Sequence, residues 1–333
     1  MKVGVDVLEN DILKYYPGVI EILLQDQSTH KNIIWGTENY KHLGDGYNHN
    51  VQIRPNLITG INGNVIMPRI EKDKNLQLSR SKNMAEVFTP SWVCNSQNNL
   101  IDNNWFGRQN VFNFEAIGDF SLPWKVNTQK IHFHGDSTWK DYINDKRLEI
   151  ACGEAPYLTS RYDTTTGQFI PILHRIGIVD RKLRVINENT DTPHEWLNAA
   201  QTAYESCYGY EWQGDNLLLA REALLITFIE NYILKFTNEP SIDSIKTIAQ
   251  IISWNVWQMD GLKCVVPYTC ITEYSSYTDL LGQEETKKSV CPGCNKNQIA
   301  KHNGIYCEVM DWSKVDKRTN KKGVKLRFID LIN

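Results

Sequence analysis

In CYGYEWQGDNLLLAREALLITFIENYILKF, residues 207–236 of a 333-residue chain, a short apolar segment gives way to a long helical one. Cys207–Trp212 reads as a strand, and Asn216–Phe236, rich in Leu, Ala, Ile and Glu, as the helix behind it. Upstream, Leu148–Cys152 is a short apolar run stopping at Gly153, the pattern of a buried strand that ends in a glycine turn. Downstream, Ile242–Ile252 has helical texture and Ser253–Met259 reads as a third strand. Strands alternating with helices predict an α/β unit built on a parallel sheet.

The bulk composition sets the outer limits. Hydrophobic residues make up 41% and aromatics 11%, enough for a packed core. The net charge of -3 gives no global nucleic-acid signature, so any such contact must be local. The N-terminal MKVGVDVLENDILKYYPG lacks the apolar core of a signal peptide. No apolar run approaches the roughly 18 residues of a membrane span. The expected compartment is therefore the cytoplasm, where cysteines stay reduced and their clustering suggests metal.

Four segments follow. Residues 1–80 form an N-terminal α+β region in which Gly18–Leu24 and Lys31–Trp35 read as two strands around the polar turn QDQSTH, with a loop over His42–Asn50. Residues 81–262 form the α/β core, where Thr89-Pro90 marks a helix start. Residues 263–308 are a Cys-rich insertion and 309–333 a basic C-terminal tail.

Three strand ends carry candidate chemistry. Gly153 lets backbone approach a ligand at the carboxyl edge of the sheet. Glu211 closes the second strand, where a carboxylate can accept both hydroxyls of a ribose. Asp260 closes the third, where a carboxylate can accept an exocyclic amine of a purine. Asp180, in RIGIVDRK (175–182), is a rival for the ribose position; Glu211 has the long helix directly behind it.

Taken in order, these segments resemble the N6-adenine DNA methyltransferases of restriction–modification systems. Phe88-Thr89-Pro90 resembles their FTP motif, and Ala151-Cys152-Gly153-Glu154 their ACGSG cofactor loop. Tyr208-Gly209-Tyr210-Glu211, with Ala220-Arg221 in the next helix, resembles their second-strand motif. Asn255–Leu262 resembles their N-I-x-x-x-D-x-L segment. The resemblance spans roughly residues 80–262. It implies an incomplete Rossmann-like sheet that binds S-adenosylmethionine through Phe88, Thr89, Pro90, Ala151, Cys152, Gly153, Glu154, Glu211 and Asp260. Glu154 and Ala155 depart from the family's Ser and Gly.

In that family a tetrad such as Asn-Pro-Pro-Tyr holds the target amine and stacks on the flipped base. The chain contains no Pro-Pro pair and no Asn-Pro. The nearest match, Glu154-Ala155-Pro156-Tyr157, sits on the cofactor loop. The sequence ends about where the family's catalytic strand would begin. The resemblance thus implies a subunit that acts on double-stranded DNA only with a second chain, whose strand would dock beside the one ending at Asp260. A degenerate methyltransferase serving as a DNA- or partner-binding module is the alternative. An N-terminal endonuclease finds little support: Glu21 and Asp26 suit a nuclease hairpin, but no matching Lys follows.

Cys291-Pro292-Gly293-Cys294 is a C-x2-C knuckle, and His302 and Cys307 extend it to C-x2-C-x7-H-x4-C. Tetrahedral zinc accepts such ligands, which makes Cys291, Cys294, His302 and Cys307 the expected structural site. Cys264 and Cys270 are alternative fourth ligands. The run Lys314, Lys317, Arg318, Lys321, Lys322, Lys325 and Arg327 could meet phosphates or be a solvated face. His132 and His134 share a strand face and read as structural, with no third ligand nearby.

Overall fold

The computed structural model describes residues 7, 9–84, 86, 88–116, 122–133, 135–278 and 284–332. At its centre stands the helix Gly214–Phe236, buried along nearly all of its first sixteen residues. A helix apolar on every side belongs in the middle of a core, and Leu217, Leu218, Leu224, Leu225 and Phe228 fill that role.

The helix leaves the middle strand of a three-stranded parallel sheet. Cys207–Glu211 lies between Arg147–Glu149 and Val256–Gln258, with Glu149 opposite Gly209 and Tyr210 opposite Trp257. The chain is thus mixed α/β with one parallel sheet and several antiparallel hairpins among its described residues. The third strand is shorter than Ser253–Met259: the preceding helix, Ile242–Asn255, runs on through Asn255. The gap between the first two strands holds two helices, Ile178–Asn189 and Pro193–Glu205, which pack into the core. Thr192 starts the second with a capping box closed by Glu195.

Gly18–Leu24 is not a strand. Gly18 takes a left-handed turn (φ 82°) and Val19–Leu24 forms a helix that packs on Ile242–Asn255. Its buried positions, Val19, Ile20, Leu23 and Leu24, follow helical spacing. Of Lys31–Trp35 only Lys31–Asn32 is strand, paired with Gln25–Asp26. Ile12, Ile20, Trp35 and Ile53 share one apolar core with Leu217 and Ile252, so the first 80 residues and the α/β segment close on each other. Arg221 stitches them together. Buried, it donates to the carbonyl of Gln25 at 3.0 Å, of Ser253 at 3.1 Å and of Val256 at 2.7 Å, and also to that of Leu23.

The other face of the sheet presents Tyr208, Tyr210 and Trp257 to a second cluster built from Met259, Cys264, Cys307, Val309 and Phe328. The basic C-terminal run is a hairpin, Glu308–Asp316 with Lys321–Arg327, and it delivers Val309 and Phe328 to that face. The helix announced by Thr89-Pro90 is Ser91–Phe106. His134 lies outside the described residues, and the His132 carbonyl accepts the Arg108 guanidinium at 2.7 Å. No helix among the described residues is long and apolar enough to cross a membrane.

Candidate cofactor cleft and metal centre

All three parallel strands end at one cleft of about 1060 Å³, near the upper limit of small-molecule pockets. This is where open α/β sheets bind ligands. Its walls include Phe88, Thr89, Ala151, Cys152, Gly153, Glu211 and Asp260, drawn from four separate stretches of sequence.

The loop after the first strand is held by its neighbours. The Cys152 amide donates to Tyr210 O at 2.8 Å, and the Gly153 amide to Glu211 Oε2 at 2.9 Å. Ala151, Gly153 and Ala155 all take positive φ, at 48°, 55° and 58°. Left-handed alanines persist only where the surroundings over-determine them. Here those surroundings include Glu149, which accepts the amides of Tyr157 at 3.3 Å and Leu158 at 3.0 Å. Burial pushes the Glu149 carboxyl up to about 8.

Glu211 also accepts the Gln213 amide at 3.0 Å, so each of its oxygens holds one backbone N–H and keeps lone-pair capacity for another donor. Burial raises its pKa. Asp260 accepts the Leu262 amide at 3.1 Å and pairs with Lys263 at 2.9 Å.

Two expected residues do not reach the cleft. Glu154 turns inward, accepting the Arg69 amide at 2.7 Å and the Tyr162 hydroxyl at 2.5 Å. Its carboxylate locks the loop to the chain around Arg69 and has no route to a ligand. Pro90 caps the helix Ser91–Phe106 and is likewise absent from the walls. Asp180 is buried in the first turn of Ile178–Asn189, accepting the amide of Ser160 at 2.8 Å, and is not a strand-end acid. Behind the rim, Asp215 gathers Lys72 at 3.1 Å, Arg80 at 2.8 Å and the Tyr40 hydroxyl at 2.8 Å, and Arg80 also pairs with Glu86. No sequence signal pointed to this network: Asp215 falls just before the helix as read from sequence, and Lys72 and Arg80 are far away in the chain.

A second constellation lies in the C-terminal third. Cys270, Cys291, Cys294 and His302 bring their ligand atoms within 4.8 Å of one another and could hold a metal ion. Cys307 is not among them, contrary to the spacing argument. It is fully buried, with its thiol on Gln258 O at 3.4 Å, because the chain leading into Glu308–Asp316 packs against the sheet. Cys264 is buried in the same cluster. The knuckle turns on Gly293, where a Cβ would sit 2.6 Å from the His302 ring.

Comparison of the chain with family profiles, curated proteins and solved structures returned no match.

Proposed function

We propose that this chain supplies the S-adenosylmethionine pocket of a DNA adenine-N6 methyltransferase and needs a second polypeptide for the transfer. One observation carries the reading. Seven of the nine residues that the methyltransferase resemblance selects, drawn from four stretches of sequence, line a single cleft at the carboxyl ends of a parallel sheet; Pro90 and Glu154 do not. In this reading the Ala151–Gly153 loop lies against the methionyl part of the cofactor, and Glu211 accepts the ribose hydroxyls. Asp260 faces the adenine amine, and Phe88 and Leu262 offer apolar cover. Transfer to an exocyclic amine depends mainly on positioning, which a rigid, backbone-bonded loop provides for the donor. The Cys/His cluster takes no part in that chemistry; its resident is read as a structural zinc ion.

In this reading the acceptor side comes from elsewhere, since no Asn-Pro-Pro-Tyr-like tetrad occurs in these 333 residues. A completing strand would add beside Arg147–Glu149, not beside the strand ending at Asp260. Arg147–Glu149 pairs only with Cys207–Glu211 among the described residues, and Leu148 and Ile150 stand exposed there. An open edge invites another chain. Val256–Gln258 is the other edge, but side chains already take its carbonyls: Arg221 Nε donates to Val256 O at 2.7 Å and the Cys307 thiol to Gln258 O at 3.4 Å.

Transfer of labelled methyl groups to adenine in duplex DNA tests the proposal. Residues 1–333 alone should give background transfer, and addition of the neighbouring gene product should restore it. Robust adenine methylation by this chain alone would overturn the divided site, and none from the pair would overturn the methyltransferase reading.

A further inference from the structure

We propose that Cys270, Cys291, Cys294 and His302 bind one zinc ion, which pins the cleft wall that carries Asp260. The geometry is specific. The His302 Nδ1 atom lies 3.5 Å from the Cys270 thiol sulfur and 3.6 Å from each of the Cys291 and Cys294 sulfurs. Tetrahedral zinc, with Zn–S near 2.3 Å and Zn–N near 2.0–2.1 Å, sets an S···N edge of about 3.6 Å. All three edges at His302 therefore have the length that a central zinc requires. Three thiolates and an imidazole form a soft donor set that favours zinc over magnesium or calcium. Four protein ligands leave no open position, so the site is structural. The Asn303 amide points at the Cys291 sulfur at 3.3 Å, as outer-shell donors do around zinc thiolates. His302 Nδ1 is the ligating nitrogen, and its ring seats against Gly293, where any side chain would collide.

The path from metal to cleft runs along two paired segments. Cys270 ends the stretch that starts at Asp260, and His302 begins the stretch that ends at Cys307. Between them, Val266 N donates to Ile305 O at 2.8 Å and Cys307 N to Cys264 O at 3.0 Å. Ile305 N reaches Thr269 Oγ1 at 3.0 Å, and Asp260 N reaches Val265 O at 2.9 Å. Tyr268 stacks edge-on against Trp212 of the cleft wall, with ring centroids 5.5 Å apart. A metal that fixes Cys270 to His302 thereby closes the outer end of a ladder whose inner end is Asp260.

The test needs no nucleoside and so does not depend on the methyltransferase reading. Protein purified without chelator, under reducing conditions, should carry about one zinc per chain. Cobalt substitution should give the intense visible bands of a tetrahedral site, together with thiolate-to-metal charge transfer. Cys270→Ser should lower zinc affinity at least about tenfold, while Cys307→Ser and Cys264→Ser keep one zinc. In the wild-type protein, chelation should speed amide exchange over residues 261–271, and zinc should reverse it. The ligand set falls if zinc survives in Cys270→Ser and is lost in Cys307→Ser. The whole proposal falls if the reduced wild-type chain binds no zinc. It also falls if cobalt gives an octahedral spectrum without thiolate bands, an outcome that requires no variant to fold.

Discussion

Glu149 shows how a single side chain links the loop after the first strand to pH. With its folded pKa near 8 through burial, it is largely protonated in the native state at neutral pH, whereas in the unfolded chain it ionises at the ordinary carboxylate value. A raised carboxyl contributes stability that is complete below the unfolded pKa and lost as pH climbs through the folded one. Glu149→Gln should therefore gain stability relative to wild type between about pH 5 and about pH 8. Thermal melts of both proteins across that range check it; a constant difference would show that Glu149 is ionised in the fold. At this scale the sequence was informative where strand ends are concerned, since Gly153, Glu211 and Asp260 each announce themselves by position. It was silent on inward-facing acids. Nothing local distinguishes Glu149, whose partners are backbone amides, or Glu154, held by a backbone amide and the Tyr162 hydroxyl, from a solvent-facing carboxylate. The fourth member of the Cys/His cluster was also illegible by spacing. Cys307 continues the motif in sequence, but it is buried against the sheet where the chain enters Glu308–Asp316, and Cys270 arrives from the far side of the hairpin formed by Glu273–Thr278 and Glu284–Ser289.

Among the elements, the helix Gly214–Phe236 and its strand were read nearly to the residue, because their apolar content runs far longer than any competing pattern. Val19–Leu24 was not. A six-residue apolar run suits either a strand or a buried helix, and only the packing against Ile242–Asn255 resolves it. The start of Gly214–Phe236 also holds the buried charge cluster. Asp215 sits there with Lys72 and Arg80, its carboxyl held far below the usual range by those two cations in spite of burial. Removing one partner of a buried ion pair strands the others. Asp215→Ala should thus lose about 3–5 kcal/mol in urea unfolding and loosen the helix Lys74–Met84. A loss below about 1 kcal/mol, the range of surface pairs, would mean that water relieves the two cations.

For the molecule as a whole, the sheet is the frame that both sites share. Its helical face is closed by a core running from Ile12 to Val256, and its other face by the C-terminal hairpin and the metal-competent module. The four segments seen in sequence are therefore layers around one sheet, a relation that no segment encodes by itself. The cleft opens where all three strands end, and the claim that it is a methyl-donor pocket stands on its occupant. Titration of S-adenosylmethionine into the purified chain by calorimetry is the direct measurement. One molecule should bind per chain in the micromolar range, with S-adenosylhomocysteine competing and ATP failing to. Glu211→Ala and Asp260→Ala should each weaken binding at least about tenfold, the loss of a hydrogen bond to a charged group. Absence of binding, or undiminished binding in both variants, would contradict it.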